Sequence, residues 1–143
     1  MSTPINGLYW MYFGDTNIWA AYSSDLLKWT VIEEPVLQPR PDQFDSRLVE
    51  PGPPPIITED GILLFYNGAN DELVYSSGQI LLDNNDPSKI LGRSGTPFLI
   101  PTDELEQTGQ VSNVVFIEGL VNFQNKWFLY YGMGDSGIGV AIH

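Results

Sequence analysis

At 143 residues and 16.0 kDa, with 43% apolar residues, the chain has the size of one ordinary domain and enough apolar side chain to bury a core. Six Lys and Arg stand against 18 Asp and Glu, a formal net charge of -12, which argues against nucleic acid and anionic membrane surfaces as partners because like charge repels at range. Cysteine is absent and the one histidine, His143, is the last residue, so disulfide staples and thiolate chemistry are excluded and no metal site is expected.

The N-terminal segment Met1-Ser2-Thr3-Pro4-Ile5-Asn6 has no basic start and no apolar stretch of signal-peptide type. No helical apolar run approaches the roughly 20 residues that span a bilayer. A cytoplasmic location is the resulting expectation.

Along the chain, aromatic and β-branched residues come in short runs closed by Gly, Asn, Asp or Pro, the mark of strands and turns. Tyr9-Trp10-Met11-Tyr12-Phe13 runs into Gly14, Ile62-Leu63-Leu64-Phe65-Tyr66 into Asn67-Gly68, and Trp127-Phe128-Leu129-Tyr130-Tyr131 into Gly132. Turn signals precede them at Asn6-Gly7, Asp60-Gly61 and Asn125-Lys126. A second short strand follows each, over 18–23, 73–77 and 138–142, so one hairpin is used three times. Between the hairpins, Pro53-Pro54-Pro55 imposes an extended backbone without ladder donors. The segment 110–119 holds the corresponding place before the third hairpin. Residues 81–90 read as strand, polar turn and strand, with Ile90-Leu91-Gly92-Arg93 closing the middle unit.

Gly14, Gly68 and Gly132 occupy equivalent places in a repeat of about 50 residues, each unit a small antiparallel sheet. The spacing predicts an all-β fold: a partial β-propeller of about two and a half blades of antiparallel strands, in one domain over 1–143. The approximate blades are 1–48, 54–99 and 110–143. A β-sandwich would account for the strands but not for their repetition.

The succession Val49-Glu50-Pro51-Gly52-Pro53-Pro54-Pro55-Ile56, then Gly61 to Ala69, resembles glycoside hydrolase family 130, the β-mannoside phosphorylases and mannosidases. Further matching motifs follow in order: Leu81-Leu82-Asp83 with Asp86-Pro87-Ser88-Lys89, Glu106-Gln107-Thr108-Gly109 with Asn113-Val114-Val115-Phe116, and Tyr130-Tyr131-Gly132-Met133-Gly134-Asp135-Ser136. Upstream, Tyr9 to Asp15 and Ser24-Asp25-Leu26-Leu27-Lys28-Trp29 are also similar to the family.

The resemblance implies a propeller of the five-bladed type, of which this sequence looks like the C-terminal half, from inside the third blade to inside the fifth. The family's general acid, an aspartate in a Glu-Asp-Pro-Arg motif, and its phosphate-binding arginines belong to the other half, and no Glu-Asp-Pro-Arg occurs here. The resemblance further implies a β-mannoside or related oligosaccharide as partner. No cofactor is expected, apart from inorganic phosphate as co-substrate if the protein is a phosphorylase.

Three residues are candidates for substrate binding. Asp135 stands where the family places a carboxylate that grips mannosyl hydroxyls. Tyr66 ends the equivalent strand, where a ring can floor a sugar and a hydroxyl can bond to it. Glu106 matches a family glutamate near the active centre. An ordinary turn acid, a half-buried core tyrosine and a solvated loop acid are the respective alternatives, and no catalytic residue is assigned.

Three functional readings compete. One is a β-mannoside phosphorylase-like or glycosidase-like protein of carbohydrate metabolism that is inactive alone. Another is a non-catalytic carbohydrate-binding or assembly module, and the last is a truncated gene product without independent function. Open blade faces also predict a homodimer or other self-association.

Overall fold

Eleven strands and a single turn of helix make up the structure, a computed structural model that describes residue 1 and residues 3–143. They form three antiparallel sheets in chain order. The first holds β1 (Tyr9–Phe13), β2 (Trp19–Ser23) and β3 (Thr30–Val31). The middle sheet holds β4 (Leu48–Pro51), β5 (Ile56–Ile57), β6 (Ile62–Ala69), β7 (Tyr75–Leu82) and β8 (Ile90–Arg93). After α1 (Glu104–Gln107) the third sheet runs through β9 (Val115–Phe123), β10 (Lys126–Met133) and β11 (Gly137–Ile142). Among the described residues no helix is long and apolar enough to cross a membrane.

Each hairpin begins where a turn residue can take a left-handed backbone. Asn6 and Gly7 have φ of 51° and 79°, and Gln124 and Asn125, between β9 and β10, have 51° and 59°. Two successive positive φ values make the tight turn whose twist matches a right-twisted strand pair. The last turn therefore sits one residue earlier than Asn125-Lys126.

Two further expectations are corrected. The middle sheet starts at Leu48, ahead of the boundary expected at 54, because β4 pairs with β6 from Leu48↔Ala69 to Pro51↔Tyr66. β5 continues the same edge, pairing Ile56 with Leu63. The three prolines fill the gap between β4 and β5, where missing N–H groups leave no ladder partner stranded. The second correction concerns β7, one strand of eight residues rather than two short ones. It starts late because the Asn70 side chain accepts the amides of Glu72 and Val74 and Leu73 turns to a φ of 60°, so the loop takes residues expected to be strand.

The middle sheet is apolar on both faces because it is packed on both. Ile62, Leu64, Tyr66, Ile80 and Leu82 join Trp10, Ile18, Ala20 and Leu37 in a continuous core with the first sheet. Burying each large aliphatic side chain there contributes about 1.5–3 kcal/mol. The opposite face meets the third sheet, with Tyr75 and Phe116 rings 6.0 Å apart and Asn67 bonded to the Ile117 backbone. Consecutive antiparallel sheets stacked face to face are blades of a β-propeller, here about two and a half of them.

Candidate functional site

Alternation along a strand sends neighbouring residues to opposite faces. On the middle blade, Glu50, Asn67 and Ser77 lie in register across β4, β6 and β7 and so share the face toward the third blade. Tyr75, two residues before Ser77, shares it too. Where these strand ends meet the start of β9 and the turn after β10, a cavity of 330 Å³ is lined by Glu50, Tyr75, Val111, Val114, Phe116, Glu118 and Asp135. That volume falls at the small end of the roughly 300–1,000 Å³ typical of ligand pockets. Three larger cavities lack this convergence of acids from two blades. One lies beside β3, another is an apolar cleft faced by Leu63, Phe65, Phe98, Trp127 and Leu129, and the third lies on the third blade beside Glu118, Tyr130 and Ile138.

Asp135 is placed by its turn and by a loop that embraces it. Gly134 and Asp135 have φ of 54° and 52°. The Gly134 amide donates to Val114 O, Val111 N donates to Gly134 O, and Gln110 N donates to Ser136 Oγ. A Cβ on Gly109 would stand 2.2 Å from Gly134 O, so the embrace is closed by a glycine. The embracing loop is itself fastened to the middle blade, since Tyr75 N donates to Asn113 O. Asp135 thus reaches a cavity built mostly by other segments.

The cavity is acidic. Burial first, then the charges of Asp15 and Glu118, push the Glu50 carboxyl above its ordinary pKa. Burial also raises Tyr75, with Glu50 and Asp135 adding to it and Arg47 opposing. The lining residues include no cation. Carboxylates arranged this way accept hydroxyl donors in charge-assisted bonds, and the Tyr75 and Phe116 rings offer an apolar wall to the C–H face of a sugar.

The other two candidates lie elsewhere. Tyr66 faces the first blade, opposite the cavity, and is fully buried. Its hydroxyl donates to Asp45 Oδ2 at 2.6 Å and accepts from Arg93 Nε at 3.2 Å. Tyr66 and Asp135 therefore do not share this cavity: one step along β6 separates Tyr66 from Asn67, which faces the third blade.

Glu106 is buried as the third residue of α1, in a capping box with Asp103. Its Oε2 accepts the amides of Thr102 and Asp103 at 2.7 and 2.9 Å, and its Oε1 accepts Tyr131 Oη–H at 2.9 Å. Burial works against its ionisation, but those amide and hydroxyl bonds outweigh it and hold the carboxyl below its ordinary value. Both oxygens of Glu106 are thus engaged in holding this loop. Glu106→Ala should cost about 1–3 kcal/mol in a urea melt and leave sugar affinity at low temperature unchanged. A large affinity loss in the folded variant would return Glu106 to the site.

The sequence reading missed Glu50, Tyr75, Phe116 and Glu118. Glu50 had a signal, a lone acid before a proline run. The capping box was also legible, as Asp103-Glu104-Leu105-Glu106.

Acids and aromatic rings from two blades of a propeller thus meet around one cavity. The family model described as β-1,4-mannooligosaccharide phosphorylase matches residues 1–143. A 1,2-β-oligomannan phosphorylase of Thermoanaerobacter sp. (strain X514) is 42% identical over 139 residues, 96% of this chain and 47% of the relative. A glycosyl hydrolase from Bacteroides ovatus superimposes with a TM-score of 0.94 at 44% identity, covering 99% of this chain and 43% of that one. β-1,2-Mannobiose phosphorylase from Listeria innocua, solved with β-1,2-mannobiose, gives 0.90 at 35% identity, covering 99% and 42%. The chain belongs to glycoside hydrolase family 130, and it spans less than half the length of each of these relatives.

Proposed function

We propose that the chain carries the sugar-holding part of a β-mannoside-processing channel, with Asp135 as the carboxylate that grips the mannosyl unit. The carrying observation is the meeting of Glu50, Tyr75, Phe116, Glu118 and Asp135, from two blades, around one cavity. Relatives that act on β-mannosides support the choice of ligand. Alone the chain binds without turning substrate over, because no Glu-Asp-Pro-Arg segment is present to supply the acid that family resemblance assigns to that motif. Loss of a general acid alone costs about 10²–10⁴-fold.

Calorimetry with β-1,2-mannobiose should show weak binding that Asp135→Asn weakens about tenfold or more, since a charge-assisted bond contributes about 1.5–3 kcal/mol. Phosphate-dependent release of mannose 1-phosphate by the pure chain would overturn the claim of inactivity. Affinity unchanged in Asp135→Asn would move the site.

The electrostatics favour a second reading of the acceptor. A cavity lined by three carboxylates and no cation repels phosphate, while Glu50, its pKa raised, suits a base that takes a proton from water. If phosphate is the co-substrate, groups outside this chain hold it. Inorganic phosphate should leave mannobiose affinity unchanged, and a phosphate-dependent gain would reverse the reading.

The assembly proposed is a homodimer in which second copies cover the open blade faces.

A further inference from the structure

Asn67 is fully buried, and within its own strand pair its carboxamide receives only a long contact from Ser77. It reaches to the third blade and pairs with both backbone polar groups of one residue there. Oδ1 accepts Ile117 N–H at 2.8 Å, Nδ2 donates to Ile117 O at 3.1 Å, and Ser77 Oγ–H adds a contact to Oδ1 at 3.4 Å. A side chain that imitates a strand's backbone in this way fixes both the distance and the register between two blades. Its neighbours give that fixing a functional consequence. Glu50 lies opposite Asn67 in the β4–β6 register, on the same face, and Glu118 follows Ile117 directly. Both carboxylates line the cavity, one on each side of this clasp.

We propose that Asn67 is a positioning residue that sets the separation of Glu50 and Glu118, and so the width of the sugar cavity. The proposal rests on the reading of that cavity as the mannoside site. The clasp is the only side-chain pairing in the described residues that engages both the N–H and the C=O of one residue on another blade. Apolar packing between the blades, Tyr75 on Phe116 and Ile117 beside Gly52, holds them together without fixing their register, and the Tyr75 N–H bond to Asn113 O fixes only the loop ahead of β9. A directional pair of bonds fixes that register.

Asn67→Ala should weaken β-1,2-mannobiose binding by about tenfold or more, the effect of leaving a buried donor and acceptor unpaired. The stability control is Leu82→Ala, in the core against the first blade, which should lower the melting temperature with affinity unchanged at 15 °C. The discriminating variant is Asn67→Asp. Ionised, its carboxylate faces the Ile117 carbonyl and the clasp is lost. Protonated, a carboxyl group has the amide's shape, with an O–H for Ile117 O and a carbonyl for Ile117 N–H. Glu50 and Ser77 lie opposite it in register, Asp15 and Glu118 act on Glu50, and Tyr75 feels Asp135 and Arg47, while Asp45 with Arg40 and Arg93 lies on the strand's far side. These acids favour protonation near neutrality, so affinity should recover relative to wild type between pH 8 and pH 5.5.

Equal loss at every pH, or full affinity in folded Asn67→Ala, overturns the proposal. If wild type binds no mannobiose, the mannoside reading fails and the clasp is judged without ligand. Asn67→Ala should then speed amide exchange at Ile117 and return the Glu50 carboxyl ¹³C titration toward an ordinary carboxylate value. Unchanged exchange and titration would overturn the positioning role by itself.

Discussion

Asp45→Ala should lower folding stability by about 3–5 kcal/mol, the cost of removing one partner from a buried ion pair. Asp45 is completely buried and lies between two arginines, with Arg40 Nη2 at 2.8 Å from its Oδ2 and Arg93 bonded to the same oxygen. Tyr66 donates a third bond to it, Phe44 stacks on Tyr66 at 6.1 Å, and Arg93 lies 5.3 Å from the Tyr66 ring centroid. The arginines carry the network outward, donating to Ser94 O and Gln38 O, so the segment that links the first two blades is tied to the outer strand of the middle one. Without Asp45, two guanidinium groups and a buried hydroxyl lose their common acceptor.

Burial works against ionising Asp45, but the bonds from Arg40 and Tyr66 and the charge of Arg93 outweigh it and hold its pKa below the ordinary value. A carboxyl depressed on folding contributes stability that is fully present above the unfolded pKa, about 3.9. That stability is lost as pH falls through the folded pKa, so the network should fail in acid below about pH 4. Urea titrations at pH 7 and at pH 3.5 check both statements: wild type should lose part of the difference from Asp45→Ala at the lower pH. A loss under about 1 kcal/mol at pH 7 would mean the pair behaves as an exposed one.

Val140→Lys should abolish self-association at tens of micromolar, an affinity loss of about 100-fold or more, equal to about 2.7 kcal/mol. Ile138, Val140 and Ile142 stand exposed on β11, in register with Gly132, Tyr130 and Phe128 on β10, and Val121 of β9 completes the row. This face of the third blade carries no charge along that row. It is also the kind of face that, between the first and middle blades, is covered by another blade. On the first blade, Met11 and Val31, in register on either side of the buried Ala21, are exposed. A second copy repeats the contact already made twice within the chain, sheet face on sheet face, and two sets of about two and a half blades approach five.

The formal charge of -12 on each copy opposes this, so the dimer should tighten as salt screens the repulsion. Light scattering after size exclusion at low and high salt reads the result. A lysine in the contact would have to be buried unpaired, which is what Val140→Lys exploits. A wild-type mass of 16.0 kDa in both salts would end the dimer proposal.

The sequence by itself determined the all-β class, the three hairpins, the blade count and the family, because each depends on local quantities. Strand runs such as Ile62 to Tyr66 are legible from composition, turns such as Asn6-Gly7 from the backbone they allow, and the repeat from their spacing. It also named Asp135 as a candidate through its motif, and the structure places that residue in the lining of the acidic cavity. Only the tertiary structure decided which face of each strand meets which blade. Strand alternation makes that a choice of one residue: Tyr66 goes to the core with Asp45 and Arg93, while Asn67 goes to the cavity side and clasps Ile117. Glu50, Tyr75 and Glu118 are far apart in sequence and become one site only when the middle and third blades stack. Glu106 was singled out by its motif, but only the tertiary structure shows its oxygens bonded to Tyr131 and to the Thr102 and Asp103 amides. Parity and packing are properties of the assembled sheets, which no single segment carries.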